Sequence, residues 1–167
     1  RGSGNVATFD MSAGGNNRFM AGDQAAMSSG SLVYTGGSGD DSLTLGYELA
    51  YDGGNATFDL SLGGNNTLVA GDYAASSGSL SYTGGSGDDN LTFRDDLAYD
   101  GTATFDMSLG GNNTLVAEAF AASSGSLSYT GGSGDDSLTF DDYLAYGGGT
   151  ATFDMSLGGN NTFVADS

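Results

Sequence analysis

The feature that most constrains this chain is a nine-residue stretch that returns twice with one change. Gly36-Gly37-Ser38-Gly39-Asp40-Asp41-Ser42-Leu43-Thr44 comes back as Gly84 to Thr92, with Asn90 in place of Ser42, and again as Gly131 to Thr139. A second landmark, Gly-Gly-Asn-Asn, begins at Gly14, Gly63, Gly110 and Gly158, about midway between copies of the first. The chain is therefore about three and a half copies of a unit of about 48 residues, each built from two divergent halves of about 24. Near-identical halves in tandem bury a shared core by stacking like on like.

Within each half the apolar residues alternate with period two, the mark of a strand with one buried face. Leu80-x-Tyr82 precedes the acidic stretch and Leu91-x-Phe93 follows it; then come Leu97-x-Tyr99, Ala103-x-Phe105-x-Met107-x-Leu109 and Leu115-x-Ala117. No stretch carries the i, i+3, i+4, i+7 spacing of an amphipathic helix. Two all-β geometries accommodate this. One is a parallel β-solenoid, β-roll-like, of 24-residue coils grouped in 48-residue repeats. The other is an antiparallel meander with the glycine-rich stretches as hairpin turns. Six residues is long for a hairpin loop, and near-identity favours stacking, so the solenoid is expected. Seven coils rising about 4.8 Å each would span about 34 Å. Tyr34, Tyr82 and Tyr129, Phe58, Phe105 and Phe153, and Tyr51, Tyr99 and Tyr146 recur in register and are expected to form interior ladders.

Composition narrows function. Of 167 residues, 31 are Gly and none is Pro, Cys, His or Trp; Arg1, Arg18 and Arg94 face 21 acidic residues, for a net charge of -18. A nucleic-acid surface needs clustered Lys or Arg, and so does attraction to an anionic membrane. No apolar run approaches the roughly 18 residues that read as a spanning helix, so membrane insertion is not expected. Without His, Cys or Lys there is no ordinary base or nucleophile, and the aspartate pairs recur where a catalytic pair would be unique. A non-enzymatic chain is expected, with residues 1–167 forming one array excerpted from a longer one. Asn55, Asn65, Asn90, Asn112 and Asn160 stand in N-x-T triplets, which serve turns as readily as glycans.

The acidic stretch has the residue types of a cation site. Calcium takes six to eight oxygens at roughly 2.3–2.6 Å, mixing carboxylates with backbone carbonyls. Glycines permit positive φ, which would turn successive carbonyls inward, and aspartate supplies the charge. Ordinary turns use the same residues. Charge favours a bound ion, because two carboxylates about 5 Å apart at an effective dielectric near 20 repel by about 3 kcal/mol.

Each copy reads G-G-x-G-x-D-x-U-x, with Leu43, Leu91 or Leu138 as the large apolar residue. The pattern resembles the calcium-binding nonapeptide of RTX (hemolysin-type) repeats, found in secreted toxins, proteases, lipases and bacterial adhesins. The resemblance implies ions between turns of adjacent coils, held by loop carbonyls and the sixth-position aspartate. Carried over, the metal positions are Asp41, Asp89 and Asp136, with Asp40, Asp88 and Asp135 at the fifth position. The glycines are Gly37, Gly39, Gly85, Gly87, Gly132 and Gly134. This chain departs from the family in spacing, since its full motif recurs every 48 residues rather than every nine. The facing turn offers Asn66, Asn113 and Asn161 instead of carboxylates.

The resemblance implies a bacterial, extracellular, calcium-stabilised structural module of an adhesin, surface-layer or fibre protein, self-associating head to tail. The alternative it implies is a calcium-responsive secretion and folding domain of a secreted hydrolase or toxin. An ice- or ligand-binding solenoid is a third class, whose mark would be a flat outward threonine face.

Overall fold

The computed structural model describes residues 4–166, so Arg1, Gly2, Ser3 and Ser167 of the array expected over 1–167 lie outside it. In chain order the strands are β1 Val6–Asp10, β2 Arg18–Ala21, β3 Ser31–Thr35, β4 Ser42–Leu45, β5 Asn55–Asp59, β6 Thr67–Ala70 and β7 Ser79–Thr83. They continue as β8 Asn90–Phe93, β9 Thr102–Asp106, β10 Thr114–Ala117, β11 Ser126–Thr130, β12 Ser137–Phe140, β13 Thr150–Asp154 and β14 Thr162–Ala165. Odd strands form one seven-stranded sheet and even strands a second, each in sequence order. Every strand pairing is parallel: Ala56 pairs with Leu80, and Leu80 with Ala103. The chain is thus an all-β parallel solenoid of about seven coils, and the antiparallel meander does not form.

Alternation explains why these residues make strands. Leu80 and Tyr82 of β7 and Leu91 and Phe93 of β8 point between the sheets and are fully buried, while Ser79, Ser81, Asn90 and Thr92 face outward. Side-chain size alternates between coils as well. Leu32, Leu80 and Leu127 stack in register with Ala56, Ala103 and Ala151. Leu45 and Phe93 likewise alternate with Ala70 and Ala117. A coil with large residues here is followed by one with small residues, which keeps the interior filled at constant rise. Where the small coil lacks bulk, Leu60 or Met107 reaches back over the glycine of the preceding coil: a Cβ on Gly84 would stand 2.6 Å from Met107 Sδ.

The third side of each coil is a corner, closed by single bridges joining Ala74 to Leu97, Leu97 to Ala121, and Ala121 to Leu144. Here one expectation fails. Tyr99 and Tyr146 are exposed and Tyr51 is half-exposed, not interior. The residue before each, Ala50, Ala98 or Ala145, has φ of 53–55°, left-handed backbone that breaks the period-two alternation and turns the tyrosine outward. Tyr34, Tyr82, Tyr129, Phe58 and Phe105 are buried as expected, and Phe153 in the last coil is half-buried. Among the described residues no helix is long and apolar enough to cross a membrane.

The register sets opposite fates for two residues of one segment. Phe105→Ala removes a fully buried ring and is expected to destabilise by about 3–5 kcal/mol. Leu109→Ala, at a position 53 % exposed, is expected to stay within about 0.5 kcal/mol of the parent in urea melts.

Candidate metal centre

The glycine-aspartate and glycine-asparagine turns stack on one edge of the solenoid, between the odd and the even strands. The fold brings the expected side chains together as two hydrogen-bonded columns. The inner column alternates asparagine and aspartate. Asn66 donates its backbone N–H and its Nδ2 to Asp89 Oδ1 at 2.8 and 2.9 Å, and Gly85 N–H donates to Asp89 Oδ2 at 3.1 Å. The Asp89 N–H in turn donates to Asn113 Oδ1 at 3.1 Å. Asn113 then donates twice to Asp136 Oδ1 at 3.0 Å, and the Asp136 N–H reaches Asn161 Oδ1 at 2.8 Å. Gly132 and Gly37 cap Asp136 and Asp41 as Gly85 caps Asp89. Asp41, Asp89 and Asp136 are 0–1 % exposed, so each buried carboxylate accepts three N–H donors.

The outer column is exposed and built alike. Asn65 N–H donates to Asp40 Oδ1 at 2.7 Å, the Asp88 N–H to Asn65 Oδ1 at 2.8 Å, and Asn112 N–H to Asp88 Oδ1 at 2.7 Å. The Asp135 N–H reaches Asn112 Oδ1, and Asn160 N–H reaches Asp135 Oδ1. Asn16 and Asn17, which the metal assignment omitted, begin the two columns on Asp40 and Asp41. Their signal was legible, since Gly14-Gly15-Asn16-Asn17 is the first copy of the second landmark.

The glycines serve a different purpose from the one expected. Positive φ belongs to the asparagine turns, at pairs such as Gly63 and Gly64, and not to the acidic turns. In the acidic turns glycine is needed because neighbouring coils touch: a Cβ on Gly87 would stand 2.2 Å from Gly64 O, and one on Gly85 2.7 Å from Gly63 Cα. Gly39, Gly134, Gly37 and Gly132 meet the preceding coil in the same way.

The inner column, as hydrogen-bonded, does not offer a calcium ion a converging set of free oxygens. Calcium needs converging oxygens, yet N–H groups fill the gap beside each buried aspartate. The Asn113 Nδ2 group also takes the Gly110 carbonyl at 3.0 Å. Among the described residues no three His, Cys, Asp or Glu side chains converge on a metal-sized space. Charge repulsion is also weaker than stacked corners suggest. Aspartates of one column lie two coils apart, about 9.6 Å, where the same dielectric gives about 1.7 kcal/mol.

Burial raises the Asp89 carboxyl above its ordinary range, and the hydrogen bonds from Asn66 and Gly85 pull it back only in part. Beside this column the buried hydroxyls of Tyr34, Tyr82 and Tyr129 have no hydrogen-bond partner among the described residues. Burial, with Asp41 second, pushes the Tyr34 phenol up to about 12. No family model, curated protein or solved structure matches the chain. The class its own geometry defines is a β-solenoid compatible with a β-roll repeat.

The ladder predicts opposite outcomes for adjacent aspartates. Asp89→Asn would turn an amide NH2 toward the Gly85 or the Asn66 donors, leaving a buried donor unpaired, and is expected to cost about 1–3 kcal/mol. Asp88→Asn, exposed and with its Oδ2 free of protein donors, is expected to be neutral or slightly stabilising in the same urea melts. Stabilisation by Asp89→Asn would mean that charge repulsion dominates the column.

Proposed function

We propose that the chain is a structural repeat module, a stiff stack of coils serving as a spacer or fibre segment of an extracellular bacterial protein. The observation that carries this reading is the continuity of the two asparagine-aspartate columns, from Asn16 and Asn17 to Asn160 and Asn161. The six aspartates of the columns each fasten one coil to the next, in every unit alike, which is the pattern of a structural role. The acidity and the resemblance of the corners to RTX nonapeptides support a place outside the cell. Both sheets are parallel and in register from coil to coil, a geometry that also suits head-to-tail association of copies.

In this reading cations act as a screening atmosphere and not as ligands. Thermal melts followed by circular dichroism at low salt test it. Calcium chloride and sodium chloride at matched ionic strength are expected to raise the midpoint alike, by screening the charge of -18. A saturable gain specific to calcium and reversed by chelator would overturn it and favour the secretion-domain reading.

A second reading has its own observation. On the outer face of the even-strand sheet, Ser42, Thr67, Asn90, Thr114, Ser137 and Thr162 stand in register. Beside them run Thr44, Val69, Thr92, Val116, Thr139 and Val164. Hydroxyls and methyls on a grid of about 4.8 by 6.8 Å suit an ordered water layer. If this face binds ice, the protein slows ice recrystallisation and Thr92→Tyr abolishes the effect; recrystallisation at the rate of a buffer control ends the reading.

A further inference from the structure

On the corner edge, away from the asparagine-aspartate columns, lies an open groove of about 720 Å³. Its walls are Tyr51 and Tyr99, which occupy the same corner position two coils apart, with Ser76 between them in the intervening coil. At about 4.8 Å per coil the two tyrosine positions stand about 9.6 Å apart. Tyr73 lines the groove beside them, and Asp96 and Asp100, with Glu48 across, supply the charge. No basic side chain lines it.

The two positions are too far apart for rings held over them to stack on one another, and a guest midway would be about 4.8 Å from each position. That lies within the roughly 6 Å over which an aromatic face attracts a cation. Ser76, in the intervening coil, forms the floor and is 9 % exposed, and neighbouring Ser77 Oγ accepts the Asp52 N–H at 2.9 Å. The tyrosines are there because the backbone turns them out: Ala50 and Ala98, directly before them, hold left-handed φ of 53° and 55°.

We propose that this groove binds a methylated ammonium group, of the kind choline carries, between the faces of Tyr51 and Tyr99. The onium methyls fill the gap between the rings, and Asp96 and Asp100 neutralise the charge without a tight salt bridge, which a trimethylammonium cannot form. A sugar ring could also lie between tyrosines, but three carboxylates around one groove favour a cation over a neutral guest. Burial, with Asp95 and Asp72 adding to it, raises the Asp96 carboxyl above its usual range, as expected of a carboxylate lacking its counter-charge.

Choline, and its neutral carbon isostere 3,3-dimethyl-1-butanol, can be titrated into the protein while the tyrosine ring signals are followed by NMR. Saturable shifts at Tyr51 and Tyr99 are expected with choline, and binding of the isostere at least about tenfold weaker, roughly 1.4 kcal/mol. Tyr99→Leu, at a position 40 % exposed, should abolish the shifts, Asp100→Asn should weaken them, and Tyr47→Leu, exposed outside the groove, should leave them unchanged. Equal binding of the isostere would show an apolar slot. That result, the absence of saturable shifts, or binding that survives Tyr99→Leu would overturn the proposal.

Discussion

Each coil is fastened to the next by backbone and carboxamide N–H groups of one turn donating to a side-chain oxygen of its neighbour, and the rest of the structure depends on that exchange. Asp89 shows why. Its Oδ1 takes two donors from Asn66 and its Oδ2 one from Gly85, so its position is fixed along the stack and across it. Strand register follows, because Leu68 and Leu91 cannot slip while the turn beside them is pinned. Glycine becomes obligatory at Gly85 and Gly87, since turns fastened so closely leave no space for a Cβ. Alternating core size follows too, for a uniform rise cannot accommodate large residues in every coil at every position.

Much of the fold was legible because parallel stacking repeats its own signal. Strict alternation in Leu91-x-Phe93 and Leu80-x-Tyr82 marked two inward-facing strands, and the 24-residue half-period marked the coil. The corner was less legible. Leu97-x-Tyr99 reads as one more strand, but Ala98 between them adopts φ of 55°. Alanine does not advertise a left-handed turn as glycine does, so nothing in the local sequence distinguishes this tyrosine from the buried Tyr82. The acidic turns were legible as a set, but the partners of their aspartates were not. The N–H groups that meet each buried carboxylate from the neighbouring turn belong to a coil 23 or 24 residues away. Only pairing the two landmarks, asparagine against aspartate, exposes that relation.

The two columns divide labour by exposure. The inner one, shut off from water, needs all three donors on each carboxylate, because an unsatisfied buried oxygen costs far more than a satisfied one gains. The outer one, Asp40 through Asp135, keeps one oxygen of each carboxylate for solvent and adds charge to the rim. Net acidity thus coexists with a dry interior: most of the charge stands on rims and corners, and the charge that is buried is matched donor for donor.

The alternation of acid and amide has a consequence for how such an array can grow. Removing or inserting one 24-residue coil would set aspartate directly upon aspartate, leaving a buried carboxylate without its carboxamide donor, or asparagine upon asparagine. Two coils together restore the sequence of partners. The unit of lengthening that keeps every acid matched to an amide is therefore the pair, and unequal crossing-over within the gene would preserve that matching only in steps of about 48 residues.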